Sequence, residues 1–162
     1  AIKPLADKGP SPAGAEQIEF LVATNPGAEA GPLARIASGG ELSRISLAIQ
    51  VIIASRATTP TVIFDEVDVG IGGATADAVG SLLQTLGQRI QVVCVTHLPQ
   101  VAARGAQHLR ASKSSNREST SAALTPLAAD ERVEELARML GGKTVTQKTQ
   151  EHAREMLESA AL

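Results

Sequence analysis

Two stretches decide the fold: Thr61-Val62-Ile63-Phe64-Asp65-Glu66 and Ile90-Gln91-Val92-Val93-Cys94-Val95-Thr96-His97. Each is a short apolar run that ends in polar or ionisable side chains. A strand with one face in water alternates apolar and polar residues. These two do not, which predicts strands covered on both faces, as in a parallel sheet. Thr75–Gln88 lies between them and carries Ala78, Leu82, Leu83 and Leu86 at helical spacing. The segment therefore reads as a strand–helix–strand crossover, and the chain as an α/β protein with flanking helices.

Upstream, a helix is expected from Ser38 to about Ala57, with Leu42, Ile45, Ile49, Ile52 and Ile53 along one face and Pro60 beyond its end. Gln17–Thr24 reads as a strand closed by the turn Asn25-Pro26-Gly27, and residues 25–37 as a Gly/Pro/Ala loop. Residues 1–16, rich in Pro, Gly and Ala, read as a linker, leaving 17–162 as one lobe. Downstream come a short helix over Leu98–Ala103, a hairpin of 106–113 and 119–127, and two amphipathic helices over 130–140 and 146–160.

The composition narrows the function. In 162 residues, 43% are hydrophobic and the net charge is -2, so the whole chain is not disordered and carries no broad basic nucleic-acid footprint. The only aromatics are Phe20 and Phe64, which excludes a base-stacking platform. Cys94 alone cannot form an internal disulfide and fits a reducing, cytoplasmic setting. No apolar run is long enough for a membrane span.

Three places could carry chemistry. Ser38-Gly39-Gly40-Glu41-Leu42 opens a helix. One reading is a capping box, with Ser38 as cap and Glu41 reaching back. The other is an anion site, because two glycines bare the amides of a helix N-terminus to a phosphate. Asp65 and Glu66 end a buried strand, where carboxylates are costly without partners. Side chains alternate along a strand, so one could face a metal and the other a reacting water; a solvated strand end is the simpler alternative. Asp68 adds a third carboxylate. His97 ends the next strand, at the edge where open α/β sheets bind ligands. His108 and His152 lack such company and read as structural. A Ser38–His97–Asp65 hydrolase lacks the strand-to-helix serine elbow. Leu140-Gly141-Gly142-Lys143-Thr144 imitates a P-loop end, but Ala137 stands where the first glycine belongs, and the segment follows a helix. Gly141 reads instead as a helix C-cap.

The order of these motifs resembles the second half of an ABC-type ATPase head. Residues 38–42 look like the ABC signature, 62–66 like the Walker B strand, 67–68 like the D-loop, and His97 like the switch histidine. More closely, PLARIASGGELSRISLAIQVI, TVIFDEVDVGIGG, QVVCVTHLPQVAA and ELARMLGG resemble the C-terminal part of the RecN family of SMC-like bacterial DNA repair proteins, over roughly residues 17–160. The resemblance implies the C-terminal half of a P-loop NTPase head acting on ATP with Mg²⁺. In such heads each ATP lies between the Walker motifs of one head and the signature of another. Ser38, Gly39 and Gly40, with Glu41, would then face a partner's ATP. Asp65 would hold Mg²⁺ through water, Glu66 would polarise the attacking water, His97 would contact the γ-phosphate, and Asp68 would lie near the dimer seam. The implied partners are the N-terminal Walker A half, a second head joined through ATP, and DNA through the full-length protein, in the bacterial cytoplasm at the nucleoid. Walker A lies outside the part resembled, so the 162-residue chain is expected to be inactive alone. A non-catalytic ABC-like interaction module, or part of another ABC ATPase, is the alternative.

Overall fold

The computed structural model describes residues 1–162 except 6–11, 13, 36, 37, 57, 66, 67, 69, 116–118, 143 and 162. At its centre are two parallel strands, β5 (Thr61–Phe64) and β6 (Gln91–Cys94), paired in register from Thr61↔Gln91 to Phe64↔Cys94. The numbering counts four earlier strands in two small hairpins: β1 (Ile2–Pro4) with β2 (Glu16–Ile18), and β3 (Leu21–Val22) with β4 (Gly31–Pro32). The crossover helix α2 (Ala74–Gly87) joins β5 to β6, as the apolar runs require.

The core cluster explains the order of packing. Helix α1 (Gly39–Arg56) contributes Leu47, Val51 and Ala54; α2 contributes Ala76, Val79, Leu83 and Leu86; Phe64 and Val101 complete it. Val62, Val92 and Cys94 pack against this cluster from the sheet. A second cluster joins α3 (Pro99–Ala103), α4 (Ala129–Gly141) and α5 (Gln147–Ala160) around Leu136, Ala137 and Ala153. The Gln84 side-chain amide of α2 donates to the Ala160 carbonyl at 2.8 Å, linking the two layers. Between α3 and α4 stands the hairpin β7 (Leu109–Ser115) and β8 (Thr120–Pro126), exposed along its length.

Several expectations are corrected. Gln17–Thr24 is not one strand: its two halves pair with different partners, Ile18 with Ile2 and Leu21 with Pro32. Residues 2–4, read as linker, form the first of these ladders. The α1 stripe read from periodicity is not the buried face: Leu42 is 46% and Ile52 and Ile53 are 62% exposed, and Ile45 and Ile49 are only half-buried. Ala78 and Leu82 of α2 are likewise exposed, while Val79 and Gly80 go inward. Only one face of the β5–β6 pair is covered. Ile63 is 69% exposed and Val95 55%, although their neighbours Phe64 and Cys94 face the core. The helix end at α4 falls one residue later than expected. Gly142, not Gly141, takes the left-handed position at φ 65 and donates to the Arg138 carbonyl at 2.9 Å.

Candidate functional site

The C-terminal ends of β5 and β6 place Asp65 and His97 on one edge. Asp65 is solvent-exposed one residue past β5. Glu66, the expected base, lies outside the described residues. Asp68 is 5% exposed, the most buried carboxylate described. Burial works against its charge, but hydrogen bonds from the Thr96 hydroxyl and the His97 amide outweigh that penalty. Together they hold the carboxyl below its ordinary 3.8. Both bonds are 2.6 Å and both end on Oδ2. The same oxygen lies 2.8 Å from His97 Nδ1. The rest of the His97 ring is open, with the side chain 75% exposed. The Thr96 hydroxyl also accepts from the Leu98 amide at 3.0 Å, fixing the turn into α3.

The first turn of α1 comes to the same loop. Its first helical bond runs from the Leu42 amide to the Ser38 carbonyl at 3.1 Å. The amides of residues 39–41 therefore have no acceptor within the helix and point out of its positive end. The two glycines differ in surroundings. A Cβ on Gly39 would meet nothing within 4 Å, so its backbone is open to an approaching group. A Cβ on Gly40 would lie 3.2 Å from the Gly70 carbonyl oxygen. Gly70 has φ +71, and a Cβ there would lie 2.9 Å from the Gly40 Cα. Gly40 thus serves close backbone packing within the chain. Gly39 is the glycine that leaves room for a ligand.

The structure brings the signature-like turn, the loop after Asp65 and His97 into one connected set, through the Gly40–Gly70 contact and the Asp68 hydrogen bonds. Two members had no role in the sequence reading. Thr96 was visible in the T-H pair, and Gly70 in the glycine-rich run after Asp68. Glu41 is half-buried in the first turn of α1. Cys94 is set back from this edge: burial, then the charges of Asp68 and Asp65, push its thiol up to about 11. It stays protonated and inert at neutral pH. His108 is half-buried; burial and then Arg132 lower its pKa, which favours the neutral ring. His152 faces Glu155 on the surface at 3.6 Å.

The donor set fits a phosphate bound with a hard cation. Open amides at a helix start suit phosphate oxygens. Asp65 offers an exposed oxygen ligand of the kind Mg²⁺ takes. Among the described residues there is no His/Cys/Asp/Glu cluster that could hold a metal unaided, so any cation would need ligands from elsewhere.

No family model matches the chain. It is 52% identical over 157 residues to the DNA repair protein RecN of Xylella fastidiosa (strain 9a5c), covering 97% of this chain and 28% of that protein. It is 52% identical over 150 residues to RecN of Vibrio cholerae, covering 93% of this chain and 27% of that one. RecN of Treponema pallidum is 46% identical over 150 residues, with 93% of this chain and 26% of that protein covered. The chain thus spans little more than a quarter of the length of these relatives. Among solved structures, a chain from work on ATP-driven dimerisation and DNA-stimulated activation of SMC ATPases matches with a TM-score of 0.57 at 18% identity. The match covers 76% of this chain and 81% of that one. The fold is that of the C-terminal half of a P-loop ATPase head.

Proposed function

We propose that this chain, the counterpart of the C-terminal segment of RecN proteins, is the signature-bearing lobe of an ATP-hydrolysing, SMC-like head in DNA double-strand break repair and recombination. The observation that supports it best is the connected edge. The first turn of α1, the loop carrying Asp68 and Gly70, and His97 are joined by contacts within the chain, and this joining of the three segments supports a role in phosphoryl transfer.

Phosphoryl transfer depends on positioning and on stabilising charge more than on covalent chemistry. Ser38 and Gly39 contact the γ-phosphate of an ATP held by a second head, with the α1 amides facing its oxygens. Glu41 supports that turn. Asp65 would help to hold Mg²⁺, which when bound would shield phosphate charge. Glu66 orients and deprotonates the attacking water, a role that typically contributes about 10²–10⁴-fold. His97, with a proton on Nε2, donates to a γ-phosphate oxygen. Asp68 sits behind it. The phosphate-binding lysine of a P-loop has no counterpart in this sequence, so turnover needs the N-terminal half of a head. DNA is engaged by the assembled molecule in the cytoplasm. No helix among the described residues is long and apolar enough to cross a membrane.

The uncovered face of the chain supports the same reading. Ile52 and Ile53 on α1, and Ile63 and Val95 on the sheet face turned away from the core, are all more than half exposed. The N-terminal half of the head covers the open sheet face at Ile63 and Val95 and the outer side of α1 at Ile52 and Ile53.

The test is Glu66→Gln in a full-length RecN polypeptide carrying this segment. ATP binding is expected to persist, hydrolysis to fall by about 10²-fold or more, and ATP-bound head dimers to accumulate. Equal loss of binding and hydrolysis would make Glu66 structural.

A further inference from the structure

We propose that Asp68 is the positioning residue of His97: it fixes the imidazole in the tautomer with the proton on Nδ1, so that Nε2 is the atom offered to the open edge. The inference rests on the function proposed above for its kinetic part and on geometry alone for the tautomer.

A single carboxylate oxygen receives the Thr96 hydroxyl at 2.6 Å and the His97 backbone amide at 2.6 Å, and it lies 2.8 Å from the His97 ring nitrogen Nδ1. The carboxylate is 5% exposed, while the histidine side chain is 75% exposed. An imidazole on an open surface would turn freely and favour neither direction. Here its backbone amide is hydrogen-bonded to a buried oxygen that its ring nitrogen also approaches to 2.8 Å, which restrains the ring. A bare Nδ1 lone pair at 2.8 Å would face an oxygen that can only accept, so the approach is favourable only with the proton on Nδ1. The neutral ring then has its lone pair on Nε2, and a charged ring would place its second N–H there. In either state Nε2 faces outward. A buried carboxylate that orients a histidine through Nδ1 is a known way to fix which ring nitrogen does the work.

Asp68 also braces the loop, because the Ile71 amide donates to its carbonyl at 3.1 Å. A purely structural Asp68 would need only Thr96 and the backbone amides, and would leave the ring nitrogen undetermined. The two roles therefore separate by experiment.

The first measurement is the two-bond ¹H–¹⁵N correlation spectrum of the histidine rings in the 162-residue chain at alkaline pH. The expected pattern for His97 is a protonated Nδ1 and a bare Nε2. The opposite tautomer, or rapid exchange between both, overturns the proposal without any variant being made. The second is kinetic, in a full-length RecN polypeptide carrying this segment. Asp68→Asn is expected to lower kcat about 10–100-fold, the usual effect of losing such a partner, with KM for ATP nearly unchanged. In a His97→Ala background the same substitution is expected to add no further loss, since Asp68 acts through the ring. Losses that multiply, or wild-type kcat in Asp68→Asn, overturn it. If His97→Ala alone retains full hydrolysis, the phosphate role of His97 falls with the kinetic half, while the tautomer still decides whether Asp68 orients the ring.

Discussion

Gly70→Ala and Gly39→Ala should have opposite consequences, and the structure sets the size of each. A Cβ on Gly70 would stand 2.9 Å from the Gly40 Cα, where ordinary contact begins at 3.4 Å. Both sides of that contact are backbone, so no side chain can swing away, and the loop must lift by about half an ångström from α1. Gly70 also sits at φ +71, which costs an alanine about 1–2 kcal/mol. Overpacking adds about 1–3 kcal/mol. The expected loss is therefore about 2–5 kcal/mol. Gly39→Ala meets nothing within 4 Å and opens a helix that favours alanine over glycine by up to about 1 kcal/mol. Its stability should hold or rise. Because a methyl group there occupies the approach to the first-turn amides, ATP-driven pairing of full-length heads should weaken. Urea unfolding of the 162-residue chain reads the first quantity as a shift in midpoint at constant slope. If Gly70→Ala unfolds at the wild-type midpoint, the Gly40–Gly70 contact is not what holds the signature-like turn to the loop. If Gly39→Ala unfolds several kcal/mol earlier, Gly39 is a packing residue and its assignment to a ligand is wrong.

Acid sensitivity should track two carboxylates. Asp68 is held below its ordinary 3.8, and Glu135 below 4.5 by hydrogen bonds from Arg138, so each contributes stability that is fully present above those values and lost as pH falls through the lower folded value. Asp68→Asn and Glu135→Gln should flatten the fall of the urea midpoint below about pH 4; an unchanged slope in both would refute the assignment. On the uncovered face, Ile53→Lys should change the stability of the 162-residue chain by no more than about 0.5 kcal/mol and reduce its self-association. In the full-length protein the same substitution should destabilise the head, and a head as stable as wild type there would mean that this face stays open.

The core of the fold was legible because local chemistry and long-range packing agree. Val62–Phe64 and Val92–Cys94 lack alternation, the sequence between them is helical, and the parallel pair with its crossover follows. The shared edge of Asp65 and His97 follows in turn from strand direction alone. The burial of α1 was not legible. GGELSRISLAIQVIIASR is apolar on more than one side, so periodicity could not say which side meets α2. The larger isoleucines, Ile52 and Ile53, point outward, while Leu47, Val51 and Ala54 meet the core. The non-alternating strands predicted two-sided burial, yet Ile63 and Val95 are exposed and only one side is covered. Asp68 and His97 are 29 residues apart in sequence, and only the parallel register brings them into contact. Gly40 and Gly70 each announce a special backbone position, but nothing local says that the two positions are the same place.

The central claim, that residues 38–40 serve an ATP held by another head, is tested most directly by mixing two inactive full-length proteins. One carries Ser38→Arg, whose bulk blocks approach to the α1 amides; the other has a defective Walker A. Each alone should fail to hydrolyse ATP, while the Ser38→Arg head should still bind it. Mixed, they form one intact site, from the P-loop of the first and the Ser38 turn of the second, and activity per mixed dimer should return to about half of wild type if the two sites act independently. Normal hydrolysis by Ser38→Arg alone, or no recovery on mixing, would contradict the claim and leave Ser38 as the cap of α1.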